Sequence, residues 1–279
     1  MAMSQTRKKI QKKKKNSRRG IAVLAAFIIV AAFLLYAIGV IKIPVGSLAN
    51  DSIEKQNTAF QTFFIDKKTH QKLRGLQTID NKIYGLNSTT GAELQGLQKI
   101  NGWYYYFTAD GSDNVVDAYH AVAPQLTSNN SVIEKTIASG LKLVGKSPYD
   151  YGGGRTATDV AANKFDCSSF IAQMWREGGQ SLVYQEAATT SLLSETGTTV
   201  SWNDKKRGDL IVTGDNATED EEHIGIYLGD GFMLHDSAST GGVAISRLNE
   251  VIDPSVLGNM TWTQLFTSVT GGTVQREVG

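Results

Sequence analysis

The chain has 279 residues, 41% hydrophobic and 20% charged, so it is long enough for one or two folded domains and too apolar to be disordered. The net charge of +1 hides two opposite regions: residues 1–20 carry nine Lys or Arg and no acid, whereas residues 42–279 carry 19 basic against 27 acidic residues. This acidic balance argues against nucleic acid as a partner, and a single cysteine excludes an intramolecular disulfide and zinc sites that need several cysteines.

Residues 21–41 contain no charged side chain and follow the basic residues directly. Twenty-one helical residues span about 30 Å, the thickness of a bilayer core, and the positive-inside rule keeps the basic tail in the cytoplasm. We therefore predict a cytoplasmic tail over 1–20, a transmembrane helix over 21–41 and an extracellular remainder. The protein would then be a single-pass protein of the cell membrane. The alternative is a signal peptide cleaved near Ala49, followed by secretion.

The next part of the sequence repeats weakly with a period of 21 residues. LRGLQ at 73–77 recurs as LQGLQ at 94–98, and Phe63, Tyr84 and Tyr105 share one phase. Aromatic runs followed by Asp-Gly or Asn-Gly turn residues indicate β-hairpins. Each hairpin is too small to bury its own face, so we predict that neighbouring hairpins stack.

This stretch resembles the cell-wall-binding repeats of Gram-positive surface proteins, of the choline- and glucan-binding type. The resemblance implies a wall polymer bound by aromatic side chains such as Trp103 and Tyr105. A quaternary ammonium ligand needs several rings at once, and the preceding unit has Lys82 at the phase of Trp103. A structural stalk over 42–125 is therefore the alternative.

A polar linker over 121–130 precedes about 150 residues that predict one α/β or α+β domain over 126–279. Ser131 is a candidate cap for a first helix running to about Val144. Further on, Asp166 is a good N-cap residue, and hydrophobic residues recur behind it at helical spacing. Cys167 is therefore predicted to be the first residue of a helix, where the helix dipole lowers the pKa of a thiol and free N–H groups hold an oxyanion.

A thiol nucleophile needs an adjacent base, and two histidines lie in one predicted hairpin with its turn at 229–231. A three-residue loop that pairs Leu228 with Phe232 puts His223 and His235 on the same face, whereas a two-residue loop puts them on opposite faces. We predict the three-residue loop. His223 then accepts the thiol proton, and His235 holds its ring in the correct tautomer. Metal-ligand pairs at helical spacing are missing from the sequence, so no metal or cofactor is predicted.

The region from about 131 to 247 resembles the NlpC/P60 family of papain-like cell-wall peptidases. The resemblance rests on four motifs in the expected order, namely YGG at 151–153, DCSSF at 166–170, GDL at 208–210 and HIGIYLG at 223–229, followed by His235. It implies an α+β domain in which the helix bearing the cysteine packs on an antiparallel sheet bearing the histidines.

The same resemblance implies hydrolysis of the bond between γ-D-glutamate and L-lysine or diaminopimelate in peptidoglycan stem peptides. By this resemblance Cys167 is the nucleophile, His223 the base and His235 the orienting residue. It also implies that Tyr151, Asp166 and Ser168 line the pocket for the amino end of the stem peptide. Three alternatives stay open: a CHAP-type amidase, an acyltransferase, and a non-catalytic wall-binding protein.

Overall fold

The computed structural model describes residues 48–278, so the predicted cytoplasmic tail and transmembrane helix lie outside the described residues. In that described part, none of the helices has both the length and the apolar character needed to cross a bilayer. The chain from Ala49 onward forms one compact unit that contains both the hairpins and the α+β domain. The predicted membrane localisation and the domain boundaries at 20, 41 and 125 stay predictions.

Three antiparallel hairpins come first, and the second and third are related by a shift of 21 residues. Their tips are two-residue turns at 80–81 and 101–102 with positive φ at both positions, the geometry that matches the twist of the flanking strands. Isolated bridges such as Phe63 to Ala92 and Tyr84 to Ser112 join each hairpin to the next. A relationship to cell-wall-binding repeats stays a prediction. The strands are β1 (Ile53–Asn57), β2 (Thr62–Asp66), β3 (Gly75–Ile79), β4 (Lys82–Leu86), β5 (Gly96–Ile100) and β6 (Trp103–Phe107).

The remaining strands form a six-stranded, wholly antiparallel sheet in the order β11-β10-β9-β8-β12-β7. The strands are β7 (Thr198–Val200), β8 (Leu210–Val212), β9 (Ile224–Gly229), β10 (Phe232–Ser237), β11 (Gly242–Arg247) and β12 (Thr273–Arg276). The helices are α1 (Val115–Val122), α2 (Ser131–Leu141), α3 (Ala157–Ala161), α4 (Cys167–Gly178), α5 (Thr190–Ser194), α6 (Pro254–Leu257) and α7 (Trp262–Gln264). An α+β domain is therefore confirmed.

The two faces of this sheet carry different layers. Side chains alternate along a strand, so Leu234 of β10 faces the core formed with α2 and α4, whereas its neighbour Met233 faces a second core with Trp262 and Phe266. α4 is buried almost along its whole length, because α2 packs beside it and both helices lie against the sheet. α4 thereby contacts the central strands β9 and β10.

The third hairpin is fastened to the α+β domain by buried polar contacts. The guanidinium of Arg247, at the end of β11, forms ion pairs with Asp113 and Glu250 and lies 4.3 Å from the Tyr105 ring centre. Tyr105 is only 4% exposed and accepts a hydrogen bond from Asn249. Trp103 packs against Gly231 so closely that a Cβ there would overlap its ring. The two aromatic residues expected to bind a wall polymer are thus engaged within the protein, which favours the structural alternative for this hairpin.

Candidate active site

The helix start at Cys167 is produced by a reciprocal cap. The Asp166 carboxylate accepts a hydrogen bond from the backbone N–H of Ser169 at 2.9 Å, and the Ser169 hydroxyl accepts one from the backbone N–H of Asp166 at 3.0 Å. Two of the N–H groups that a helix leaves unpaired at its start are satisfied in this way. Cys167 is therefore confirmed as the first residue of α4.

The thiol of Cys167 is enclosed. The residue is 8% exposed, and its Sγ lies 3.9 Å from Oγ1 of Thr190, the first residue of α5. Burial raises the pKa of this thiol to about 12, and the nearby Asp166 carboxylate adds to the rise. The expectation of a lowered thiol pKa is therefore wrong for this state, because desolvation outweighs the hydrogen bonds with Thr190 and with the backbone of Ser168, which lower the pKa.

The two histidines of the predicted pair lie together. Nε2 of His223 is 2.8 Å from Nδ1 of His235, and Nε2 of His235 is 3.0 Å from Oγ of Ser246. Trp262 covers both rings, with centre-to-centre distances of 4.9 Å to His223 and 4.7 Å to His235. Burial lowers the pKa of His223 to about 3, and burial together with His223 lowers that of His235. Both imidazoles are consequently neutral at pH 7.

This geometry defines the tautomers that a base would need. If Nδ1 of His223 is to accept a proton, its Nε2 carries the hydrogen and donates it to Nδ1 of His235. His235 then carries its own hydrogen on Nε2 and donates it to Ser246. The orienting role predicted for His235 thus has a second partner, Ser246, on β11. Sequence reasoning missed Ser246 because only the pairing of β10 with β11 brings it to this face.

The turn between the histidines differs from the prediction. Phe232 pairs with Gly229 across a two-residue Asp-Gly loop, and not with Leu228. The register then shifts by one residue, so that Met233 pairs with Tyr227 and Leu234 with Ile226. This β-bulge restores the same-face arrangement that the two-residue loop alone would have destroyed.

Two of the predicted pocket residues belong to a buried polar cluster around the helix start. Nη1 of Arg155 is 2.6 Å from the Asp166 carboxylate, which also accepts a hydrogen bond from Gly152. The hydroxyl of Ser168 lies 3.1 Å from the same carboxylate and 3.2 Å from the carbonyl oxygen of Ala188. Ser168 thus holds the loop around Ala188 against α4, together with Arg155, which also donates to the Ala188 carbonyl and is paired with Asp166. The contact of Asp166 and Ser168 with substrate stays a prediction.

Tyr151, the third predicted pocket residue, is 75% exposed and donates a hydrogen bond to Glu219 in the acidic loop before His223. Tyr149 stands two residues before the YGG motif and interacts electrostatically with the sulfur. It forms a parallel bridge with Phe165, and burial together with the charge of Cys167 raises the pKa of its hydroxyl. The motif itself gave no signal for this residue.

One further acid near the thiol was not anticipated. Asp236 follows His235 in β10, so its side chain lies on the opposite face of the sheet, the face that carries α4. It is fully buried, and its charge acts on both Cys167 and Tyr149. Across residues 48–278, His, Cys, Asp and Glu side chains form no group of three or more that would hold a metal ion.

A cysteine that begins a buried helix, packed on an antiparallel sheet with two linked imidazoles, defines an α+β domain with the components of a cysteine hydrolase. Residues 145–258 match the model of the NlpC/P60 family. The matched segment contains Cys167, His223 and His235.

Two of the known proteins to which the chain is similar come from Bacillus. The chain is 37% identical over 144 residues to the peptidoglycan DL-endopeptidase CwlO of Bacillus licheniformis, which covers 52% of this chain and 29% of that protein. It is 27% identical over 157 residues to the gamma-D-glutamyl-L-lysine dipeptidyl-peptidase of Bacillus subtilis, covering 56% of this chain and 48% of that protein. The chain thus spans less than half the length of these relatives. Among solved structures, the peptidoglycan hydrolase RipB of Mycobacterium tuberculosis is similar, with 25% identity, a TM-score of 0.38 and coverage of 57% of this chain and 72% of that chain.

Proposed function

We propose that this protein is a cysteine endopeptidase that cleaves peptidoglycan stem peptides between γ-D-glutamate and L-lysine or diaminopimelate. The family of residues 145–258 and the activities named for the two Bacillus relatives support this assignment. The observation that carries it is the hydrogen bond between His223 and His235, because it is made through Nε2 of His223 and leaves Nδ1 as the ring atom that can take a proton.

The protonation states of the Cys167 thiol and the His223 imidazole before substrate binds determine the order of the chemical steps. With a thiol pKa of about 12 and a His223 pKa of about 3, both groups are neutral before substrate binds. The sulfur therefore loses its proton to Nδ1 of His223 as it attacks the amide carbonyl carbon. The C–S bond forms while the carbonyl electrons move to oxygen, and N–H groups at the start of α4 would stabilise that oxyanion.

Collapse of this intermediate breaks the C–N bond, and the imidazolium returns its proton to the departing amine. Water then attacks the thioester with His223 again as base, which releases the new carboxylate and restores the thiol. Within the described residues the sulfur contacts Thr190 and neither imidazole, and both imidazoles lie with Trp262 on the face of the sheet opposite α4. Proton transfer from Cys167 to His223 therefore requires a rearrangement that brings the two side chains together when substrate binds.

A second candidate, a non-catalytic wall-binding protein, is favoured by one observation, the raised pKa of the enclosed Cys167 thiol. A third, a CHAP-type amidase, would use the same residues on a different bond. The membrane anchor over residues 21–41 and the extracellular location remain part of the proposal, because they give the enzyme access to the wall.

The test is digestion of purified peptidoglycan with the purified chain, followed by mass spectrometry of the fragments. The expected product has a new amino group on lysine or diaminopimelate, whereas an amidase would free the amino group of L-alanine. Cys167→Ala and His223→Ala should each abolish release, and His120→Ala, which removes an exposed histidine of α1, should not. Retained release in either of the first two variants would refute the mechanism, and no release by the wild type would favour the wall-binding alternative.

A further inference from the structure

The hydroxyl of Thr190 is paired with the sulfur of Cys167, which lies 23 positions earlier in the chain. Thr190 is 7% exposed, and its Oγ1 is 3.9 Å from Sγ, its hydrogen-bond partner within the described residues. The cap of α5 comes from the preceding residue, because the Thr189 hydroxyl accepts the backbone N–H of Leu192. The Thr190 hydroxyl is therefore not required to cap its own helix and is directed at the sulfur instead.

The segment that carries Thr190 is held firmly against the start of α4. Gln185 is 4% exposed, and its Nε2 donates a hydrogen bond to the carbonyl oxygen of Ser169 in α4 at 2.9 Å. Nη2 of Arg155 donates to the carbonyl oxygen of Ala188 at 2.6 Å. These bonds lie on the approach to α5, so they fix the distance from Thr190 to the sulfur.

The groups around the sulfur oppose its ionisation, with two exceptions. Burial, Asp166 and Asp236 raise the pKa of the thiol, whereas hydrogen bonds from the Thr190 side chain and the Ser168 backbone lower it. The hydroxyl of Tyr149, which interacts with the same sulfur, has a raised pKa and stays neutral at pH 7. Thr190 is thus the side chain in this set that favours the thiolate.

A hydroxyl discriminates between the two forms of the sulfur. A neutral thiol is a weak acceptor, whereas hydrogen bonds to an ionised acceptor are shorter and roughly twice as strong. The contact between Thr190 and Cys167 therefore strengthens as the sulfur loses its proton, and an interaction that strengthens along the reaction lowers the barrier. The proton that leaves Sγ passes to His223 in the proposed mechanism, while the Thr190 proton stays on its own oxygen.

We propose that Thr190 is a catalytic residue, whose hydroxyl donates a hydrogen bond to the Cys167 sulfur and stabilises it as a thiolate. This inference deepens the proposed function and rests on it for the reaction that the thiolate performs. The state of the sulfur can be measured without turnover, so the two are tested separately.

The experiment measures the rate at which iodoacetamide alkylates Cys167, the single cysteine of the chain, between pH 7 and pH 10. Thr190→Val replaces the hydroxyl by a methyl group of nearly the same shape. It should slow alkylation about 10-fold or more at each pH, the loss expected for a hydrogen bond to a charged group. Thr190→Ser keeps the hydroxyl and should stay within about 3-fold of the wild type. A role in packing alone predicts the opposite for Thr190→Val, because a loosened segment exposes the thiol and speeds its alkylation.

Thr136→Val is the matched control. It makes the same substitution at a fully buried threonine of α2, whose Oγ1 has no hydrogen-bond partner within residues 48–278. The control should alkylate at the wild-type rate. Unchanged or faster alkylation of Thr190→Val, or an equal loss in Thr190→Val and Thr190→Ser, would overturn the proposal.

Turnover of a purified stem peptide separates this inference from the proposed function. Thr190→Val should lower kcat about 10-fold or more with little change in KM, and Thr190→Ser should restore it. If the wild type hydrolyses no peptide, the endopeptidase assignment fails, but the alkylation rates still decide the role of Thr190. Slower turnover of Thr190→Val with unchanged alkylation would refute thiolate stabilisation and leave the proposed function intact.

Discussion

Nε2 of His223 lies 2.8 Å from Nδ1 of His235, and a β-bulge in β9 is what brings the two rings to the same face of the sheet. Ser246 completes the line by contacting Nε2 of His235. The three side chains form a buried relay in which each hydrogen bond fixes the tautomer of the next ring.

The relay predicts graded effects on catalysis. His235→Ala should lower kcat by roughly 10²- to 10⁴-fold with little change in KM, because His223 loses the partner that fixes its tautomer. Ser246→Ala acts one bond further away and should lower kcat by about 10-fold. Steady-state kinetics on a purified muropeptide measures both. A larger effect for Ser246→Ala than for His235→Ala would contradict the relay.

The buried thiol predicts slow alkylation. Cys167 is the single cysteine of the chain, so labelling with iodoacetamide reports it alone. With its pKa raised to about 12, the native thiol should react more slowly at pH 7.5 than the same cysteine in urea, and its rate should keep rising above pH 9. Native labelling that is faster than in urea and independent of pH between 6 and 8 would instead indicate a preformed thiolate–imidazolium pair.

Asp236 predicts a pH-dependent stability. Its pKa of about 8 in the folded state lies above the ordinary aspartate value of 3.8, so the folded state retains a proton that the unfolded chain releases. The stability of the wild type should therefore fall from about pH 4 to pH 8 through this group. The amide of Asp236→Asn does not titrate, so the variant should not lose stability through this group. The difference in unfolding free energy between the variant and the wild type should therefore shift in favour of the variant by a few kcal/mol over that interval. Urea unfolding at several pH values checks this, and parallel profiles for the two proteins would refute it.

The contact between Arg247 and Asp113 predicts that the third hairpin stabilises the α+β domain. Asp113→Ala leaves a buried guanidinium with one fewer carboxylate and should lower the free energy of unfolding by about 3–5 kcal/mol. Lys82→Ala breaks an ion pair in which both side chains are more than half exposed, and it should change stability little. Similar losses in the two variants, measured by urea unfolding, would show that the Arg247 contact is not special.

Local chemistry explains which parts of the site were predictable. The start of α4 depends on a cap between Asp166 and Ser169, three residues apart, so the sequence alone places Cys167. The loop between the histidines was predicted wrongly, because the β-bulge adds one unpaired residue to β9. Such an extra residue cannot be recognised from the alternation of hydrophobic residues. The face of the sheet was nevertheless predicted correctly, since burial of Leu234 and Ile226 determines the final register.

Contacts between distant segments explain the rest. The bridge from Tyr149 to Phe165 joins two segments that flank the cysteine helix on its amino side, and the contacts of Tyr105 with Arg247 and Asn249 join residues more than 140 positions apart. The spacing of hydrophobic residues along the chain predicts neither the Tyr149 bridge nor the Tyr105 contacts. Asp236 belongs to none of the sequence motifs. Only the structure shows that its carboxylate is buried without a hydrogen-bond donor within residues 48–278.

The contacts of Arg247 have a consequence for the number of hairpins. Each hairpin bridges to the next and the last one is joined to β11 by Arg247, so the hairpins and the α+β domain belong to one compact unit. A hairpin added or removed in front of the third one, in a step of the 21 residues that relate the second hairpin to the third, would therefore leave the Arg247 contacts in place.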